Sequence, residues 1–428
     1  MQAINRNYFV SLRMLKKILN TIFTKLLIAF SSLGMIILVS NELGTIGTGT
    51  VSLIVLSITI SGIISGFAGG GAAVYLVPRF GGFHVFVASY IWAIASGLLI
   101  PLILTVLNLL PSGYSLHIFI LSIINGIMLS NQMILIGKER ISLANLSALI
   151  QSLSTLGVLF VLFTIPEHRE ILSYIIALYC GYAAGAVSGL LFVLPHIDRK
   201  PDASFPALIR QMAKLGFFVQ SASVFQILNY RLAYYFIDFW FGRSVLGLFS
   251  VAVQVAEGLW IVGKSIALVQ YSKISNTDDK QVAAKITISL FWVSTITTAL
   301  MTLPLLLPGS SFYTWIFGPE FSEIPSIICY LAPGIVFVAG QTIFSHYFAG
   351  LGKHYYNMIA AVTGLAVLAS VGAWLIFQFS AQGAAIASTV TYATTFCFQG
   401  VLFFKVSKLN FAEFVSPLRK PISSVRQL

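Results

Sequence analysis

Apolar runs of about 20 residues, the length needed to cross a hydrocarbon layer roughly 30 Å thick, recur about twelve times along the chain. Their approximate spans are 18–40, 51–77, 84–107, 116–136, 142–165, 171–194, 215–241, 245–269, 286–307, 325–349, 358–379 and 381–404. The polar links are short, and the longest, 195–214 on one side and 308–324 on the other, stay under about 20 residues. No soluble domain fits between the spans. The pattern predicts an all-α integral membrane protein.

The positions of Lys and Arg orient it. With the N-terminus in the cytoplasm, twenty basic residues fall on that side, among them Arg79, Lys138, Arg140, Lys273, Lys353 and Lys405, and only Arg169 and Arg243 fall opposite. Both termini are therefore predicted cytoplasmic (N-in/C-in), with an even number of spans. Lys16 and Lys17 precede the first apolar run in the manner of a secretory signal. That run is long and ends in Val39-Ser40-Asn41-Glu42 without a small-x-small cleavage site, so a retained anchor is expected.

Composition agrees. The 428 residues are 57% hydrophobic and 9% charged, against roughly 25% charged in soluble domains. This excludes disorder and nucleic-acid binding as a main activity. The three cysteines, Cys180, Cys329 and Cys397, each sit inside an apolar run and make no disulfide scaffold. Most of the net charge of +12 lies in the cytoplasmic links, where it sets topology.

The chain also echoes itself. Leu43-Gly44-x4-Gly49-x2-Ser52 follows the first span and Phe241-Gly242-x4-Gly247-x2-Ser250 follows the seventh, 198 residues later at each glycine and serine. Gly137-Lys138 after span four pairs with Gly352-Lys353 after span ten at an offset of 215. Two six-helix lobes related by a parallel repeat are expected. The divisions are 1–194 for the first lobe, 195–214 for a cytoplasmic linker, 215–404 for the second lobe and 405–428 for a basic cytoplasmic tail.

These hinge motifs, the Ile136-Gly137-Lys138-Glu139-Arg140 turn and the segments Gly247–Ala252 and Tyr271–Ser275 around span eight resemble polysaccharide (O-antigen) flippases of the Wzx type. Those belong with MATE multidrug exporters and lipid II flippases in one superfamily. The resemblance implies a transporter and no enzyme. Its expected cargo is a polyprenyl-pyrophosphate-linked oligosaccharide, carried from the cytoplasmic to the outer leaflet of a bacterial inner membrane by alternating access. The implied partners are that lipid-linked oligosaccharide, membrane lipids and other polysaccharide-assembly membrane proteins, with no nucleic acid. Lipid II flippases usually carry two further helices. The alternative on the same fold is a MATE-type cation-coupled exporter of small organic molecules. The major facilitator plan also has twelve spans, but its basic and acidic signature between spans two and three is absent from Val77-Pro78-Arg79-Phe80-Gly81-Gly82-Phe83.

Five charged residues fall inside the spans: Lys25, Arg231, Asp238, Glu257 and Lys264. A charge at mid-helix costs about 2.5–3.5 kcal/mol on insertion scales. Lys25, Lys264 and Asp238 lie toward span ends, where snorkelling lowers that cost, while Arg231 and Glu257 lie near mid-depth. At about 100° per residue, Gln220, Arg231 and Asp238 share one face of span seven, with Ser223 and Tyr234 beside them. Ser250, Gln254, Glu257 and Lys264 share a face of span eight, and Thr21, Lys25 and Ser32 a face of span one. One reading makes Arg231 and Glu257 a structural ion pair fixing spans seven and eight. The functional reading assigns Arg231, Lys25, Lys264 and Gln220 to substrate binding, since guanidinium takes phosphate oxygens bidentately. Glu257 and Asp238 are then the candidates for proton coupling.

Other features carry less chemistry. Gly66-x2-Gly69-Gly70-Gly71 has no preceding strand, so close packing or a hinge is expected, not a phosphate loop. Pro101, Pro304 and Pro333 predict kinks. The six histidines and three cysteines show no metal-ligand spacing, and no cofactor is implied. Lys408, Arg419, Lys420 and Arg426 with Phe411 and Phe414 predict a tail lying on the anionic inner leaflet.

Overall fold

The computed structural model describes residues 2–198, 204–275, 277 and 279–419, and every element among them is helical. Arg199 and Lys200 of the linker and Lys420 and Arg426 of the tail lie outside the described residues. The helices are α1 (Gln2–Gly69), α2 (Gly71–Phe80), α3 (Gly82–Val106), α4 (Ser115–Gly137), α5 (Ile141–Phe163), α6 (Ile171–Val193), α7 (Phe205–Glu257), α8 (Trp260–Ser275), α9 (Lys280–Leu306), α10 (Ser310–Phe317), α11 (Ile324–Gly350), α12 (His354–Val367), α13 (Ala373–Ser407) and α14 (Phe411–Arg419). Among the described residues nine helical stretches are long and apolar enough to cross a membrane.

Three of the nine are interrupted by a residue with non-helical backbone: Gly44 (φ 60°, ψ −166°) in α1, Gly242 (φ 81°, ψ −175°) in α7 and Ser380 (φ 55°, ψ −131°) in α13. Pro101, Pro304 and Pro333 sit inside α3, α9 and α11 without ending them. The breaks come where the backbone must take positive φ, which glycine does without a Cβ penalty. The second and eighth spans are each split as well, at Gly70 and at Gly258-Leu259.

Two compact units divide the chain, Met1–Leu43 with Thr50–Gln220 and Gly44–Gly49 with Ser221–Leu428. In the first, α3 shows how an almost wholly apolar helix still has two faces. It buries small and hydroxyl residues, Ser89, Ala93, Ser96 and Gly97, and leaves Ile91, Ile94, Leu98 and Leu102 exposed. That inversion suits lipid as solvent, because close backbone approach rather than exclusion of water drives such helices together. Helix α6 repeats the device through Gly181, Gly185 and Gly189, where a Cβ would press on Thr155 of α5 and on Met128 and Asn131 of α4. In the second unit an aromatic core of Phe291, Phe344, Tyr347 and Phe403 joins α9, α11 and α13. Phe414 of α14 packs onto it, and the Trp292 indole donates to the Phe414 carbonyl at 2.8 Å.

The turns after α4 and α11 have the same geometry, in a register that corrects the sequence match. Lys138, Glu139 and Arg140 donate to the carbonyls of Ile134, Ile136 and Leu135, and Leu351, Gly352 and Lys353 donate to those of Tyr347, Ala349 and Phe348. Glu139 (φ 59°) therefore corresponds to Gly352 (φ 71°), an offset of 213 rather than 215. The Gly-Lys dipeptides matched by letter are two residues out of step, because the left-handed position is filled by glycine in one turn and glutamate in the other.

Candidate functional site

The second unit holds the charged pair that the spacing singled out. Arg231 lies in the part of α7 before Gly242 and Glu257 ends the part after it. The guanidinium donates Nη1 to Oε1 at 2.7 Å and Nη2 to Oε2 at 2.6 Å, a bidentate fork. Both side chains are largely withdrawn, 20% and 18% exposed. Nη1 also reaches the Tyr234 hydroxyl at 3.4 Å, and the guanidinium sits 5.1 Å from the centre of that ring.

Helix α7 stops at Glu257, and α8 starts at Trp260 after the turn Gly258-Leu259. Near the break the rings of Tyr230, Trp260 and Tyr392 meet: Tyr230 to Trp260 at 4.8 Å, Tyr230 to Tyr392 at 5.7 Å and Trp260 to Tyr392 at 6.2 Å. The Trp260 indole N–H is buried without an acceptor. An interrupted span presents unsatisfied peptide groups, tolerated at membrane depth only against protein or a water-lined cavity. Charge, broken helix and aromatic cluster thus coincide.

The remaining candidates are dispersed. Asp238 forms an ion pair with Arg243, beyond the Gly242 break. Lys264 lies past the Gly258 break, exposed, with Nζ 5.4 Å from the Trp260 ring centre; the uniform rotation that put it on one face with Glu257 does not run through that break. Lys25 is exposed on α1. Gln220 belongs to the first unit, where its amide donates to the Gly66 carbonyl at 3.0 Å. It closes a cleft of about 150 Å³ walled by Gly62, Gly66, Gly69, Gly70, Leu129 and Met133. A Cβ on Gly66 or Gly70 would strike that amide, so the glycine run serves close packing. Of the six residues, Arg231 and Glu257 are brought into direct contact with each other.

Spacing missed the aromatic cluster. Trp260 follows Glu257 by three residues and Tyr230 adjoins Arg231, so both were within reach of a helical-face argument; Tyr392 is too distant in sequence to be found that way. Among the described residues no cluster of three His, Cys, Asp or Glu side chains has the arrangement of a metal site.

Neither a protein-family model nor a curated protein sequence matches the chain. Solved structures do. Lipid II flippase MurJ is similar with a TM-score of 0.67 at 12% identity, over 93% of this chain and 88% of that one. A multidrug resistance MATE transporter of the MOP superfamily gives 0.69 at 12% identity, over 90% and 96%. A MOP superfamily transporter from Pyrococcus furiosus gives 0.61 at 13% identity, over 92% and 95%. At such identities the likeness is one of architecture, and this chain has the helical fold of the MATE and MurJ transporters.

Proposed function

We propose that the chain is a flippase that carries a polyprenyl-pyrophosphate-linked oligosaccharide, such as an O-antigen repeat unit, from the cytoplasmic to the outer leaflet of a bacterial inner membrane. On this reading each of the breaks at Gly44, Gly242 and Ser380 separates two passes, which makes twelve from the nine long apolar stretches, six per repeat, and the Lys and Arg bias puts both termini in the cytoplasm. The observation that carries the reading is the withdrawn, doubly hydrogen-bonded Arg231 at a broken span. A fixed guanidinium within the membrane lowers the electrostatic cost of moving pyrophosphate oxygens through it. Glu257 holds that cation when no anion is present, and substrate phosphate takes the place of the carboxylate. Lys25 and Lys264 meet the headgroup near the cytoplasmic mouth. Proton coupling runs through Glu257, and full-rate transport by Glu257→Gln with no response to a pH gradient would sink that part.

The fold equally suits a cation-coupled exporter of small organic molecules, for which three membrane-embedded cations are unfavourable. Proteoliposomes carrying a fluorescent polyprenyl-pyrophosphate oligosaccharide separate the two. Arg231→Ala with Lys25→Ala is expected to abolish the appearance of label in the opposite leaflet. If the same variant leaves glycan-lipid movement intact, or if the unaltered protein moves only organic cations, the exporter reading stands instead.

A further inference from the structure

We propose that Glu320 is a positioning residue for transport, a carboxylate clamp that sets the helix break at Gly44; its role in the transport step rests on the reading above.

The chain leaves the first unit at Leu43, passes through Gly44–Gly49 in the second and returns at Thr50. Gly44 breaks the helix, so Thr45 opens a new helical turn whose first N–H groups lack intrahelical acceptors. Glu320, from the short Pro319–Phe321 turn between α10 and α11, supplies the acceptor. Its Oε2 takes the Thr45 backbone N–H at 2.7 Å and the Thr45 hydroxyl at 2.7 Å. With that hydroxyl proton committed to the carboxylate, Ser244 donates its own to Thr45 Oγ1 at 2.8 Å. A Cβ at Gly44 would lie 2.8 Å from the same Oε2. The site thus requires a missing side chain, a positive φ and an anion together, and a negative charge at a helix start is favoured by the peptide dipoles.

The clamped segment is also pinned from its other side. A Cβ on Gly247 would lie 1.9 Å from the Thr45 carbonyl oxygen, and one on Gly49 would lie 2.1 Å from the Arg243 carbonyl oxygen. The two motifs matched in sequence therefore cross by reciprocal glycine-to-carbonyl contacts. Glu320 fastens the first motif, through Thr45.

The clamp is permanent at ordinary pH. The hydrogen bonds from Thr45, backbone first, hold the Glu320 carboxyl below the usual carboxylate range, against a smaller opposing effect of burial. A lowered value means that the stabilisation is complete above the unfolded pKa and is lost only as pH falls through the folded one. Acidification within the physiological range does not open it, which distinguishes a positioning device from a pH sensor. The neighbouring Arg243 is engaged by Asp238.

Hydrogen–deuterium exchange over 44–49 and the kinetics of flipping in proteoliposomes, measured for the unaltered protein, E320A, E320Q and T45V, test the inference. E320A is expected to speed exchange of this segment about tenfold, and E320Q, which keeps an acceptor without charge, less. The maximal flipping rate of E320A should fall about tenfold while the half-saturating substrate concentration stays within about twofold. E320A with T45V should cost less than the sum of the two single changes, since both remove the bond from the Thr45 hydroxyl to Glu320, while T45V alone also removes the one from Ser244. Unchanged exchange in E320A overturns the clamp, and faster exchange with an unchanged maximal rate overturns its role in transport. If the unaltered protein moves no glycan lipid, the proposed cargo fails; the same variants are then compared in organic-cation efflux, where the same two outcomes decide.

Discussion

Arg231 and Glu257 illustrate why a membrane-embedded charge is informative one residue at a time. Removing two charges from polar surroundings costs more than most geometries return, so such a pair is poor evidence of stability in itself. The asymmetry of loss is what makes it testable. Glu257→Ala leaves a guanidinium with no carboxylate and should destabilise the protein by about 3 kcal/mol, whereas Arg231→Met with Glu257→Leu should recover most of that loss. Thermal unfolding in detergent reads both. If the double substitution also keeps transport, the pair is a packing device and the flippase mechanism loses its central residue. The sequence made this pair visible because both residues fall near the middle of consecutive apolar runs, where a charge calls for a partner or a cavity. It could not assign Asp238, whose nearest base, Arg243, lies across a helix break that rotates it out of any regular wheel, nor Gln220, whose partner is a distant glycine carbonyl.

At the scale of elements, the glycines that matter are those whose missing side chain admits another backbone. Gly247→Ala would put a methyl group 1.9 Å from the Thr45 carbonyl oxygen, and α7 cannot retreat without breaking its own contacts. The expected cost is about 3 kcal/mol, the upper end for overpacking a close contact. Gly157→Ala, at an exposed position of α5 where a Cβ meets nothing within 4 Å, is the control and should be neutral or stabilise by up to about 1 kcal/mol. Equal melting temperatures for the two variants would remove the crossing as a constraint on the fold. The two motifs were legible as a matched pair because Gly44 and Gly242, where the helices break, and Gly49 and Gly247, which meet each other's backbone, keep their spacing. The turns after α4 and α11 were legible only approximately. Their shared feature is a left-handed residue, Glu139 in one and Gly352 in the other, and no comparison of residue identities aligns glutamate with glycine. The interruption at Gly258 left no signal in hydropathy, since the apolar run 245–269 continues through it, whereas the boundary read between 358–379 and 381–404 falls at the break at Ser380.

For the whole molecule, basicity and chemistry separate. The long apolar stretches were plain from composition, but their number depends on where helices break, and orientation depends on charge in the links. The proposed N-in/C-in topology is checked most directly by labelling. The native cysteines Cys180, Cys329 and Cys397 are exposed on their helices, so a variant with all three changed to serine supplies a clean background. Single cysteines at Ser112 or Glu167, in exposed links between α3 and α4 and between α5 and α6, should react with a membrane-impermeant maleimide in intact cells. Single cysteines at Arg140 or Asp279 should react only after the membrane is opened. The two sets belong to alternate links, so one experiment tests both the orientation and the odd number of passes between each outer and inner position. Labelling of Asp279→Cys in intact cells would require an even number of passes between it and Glu167, and the break at Gly242 would then join two arms of one pass instead of dividing two. That outcome would also move Glu320 relative to the membrane, because its link follows Asp279 by the single long helix α9.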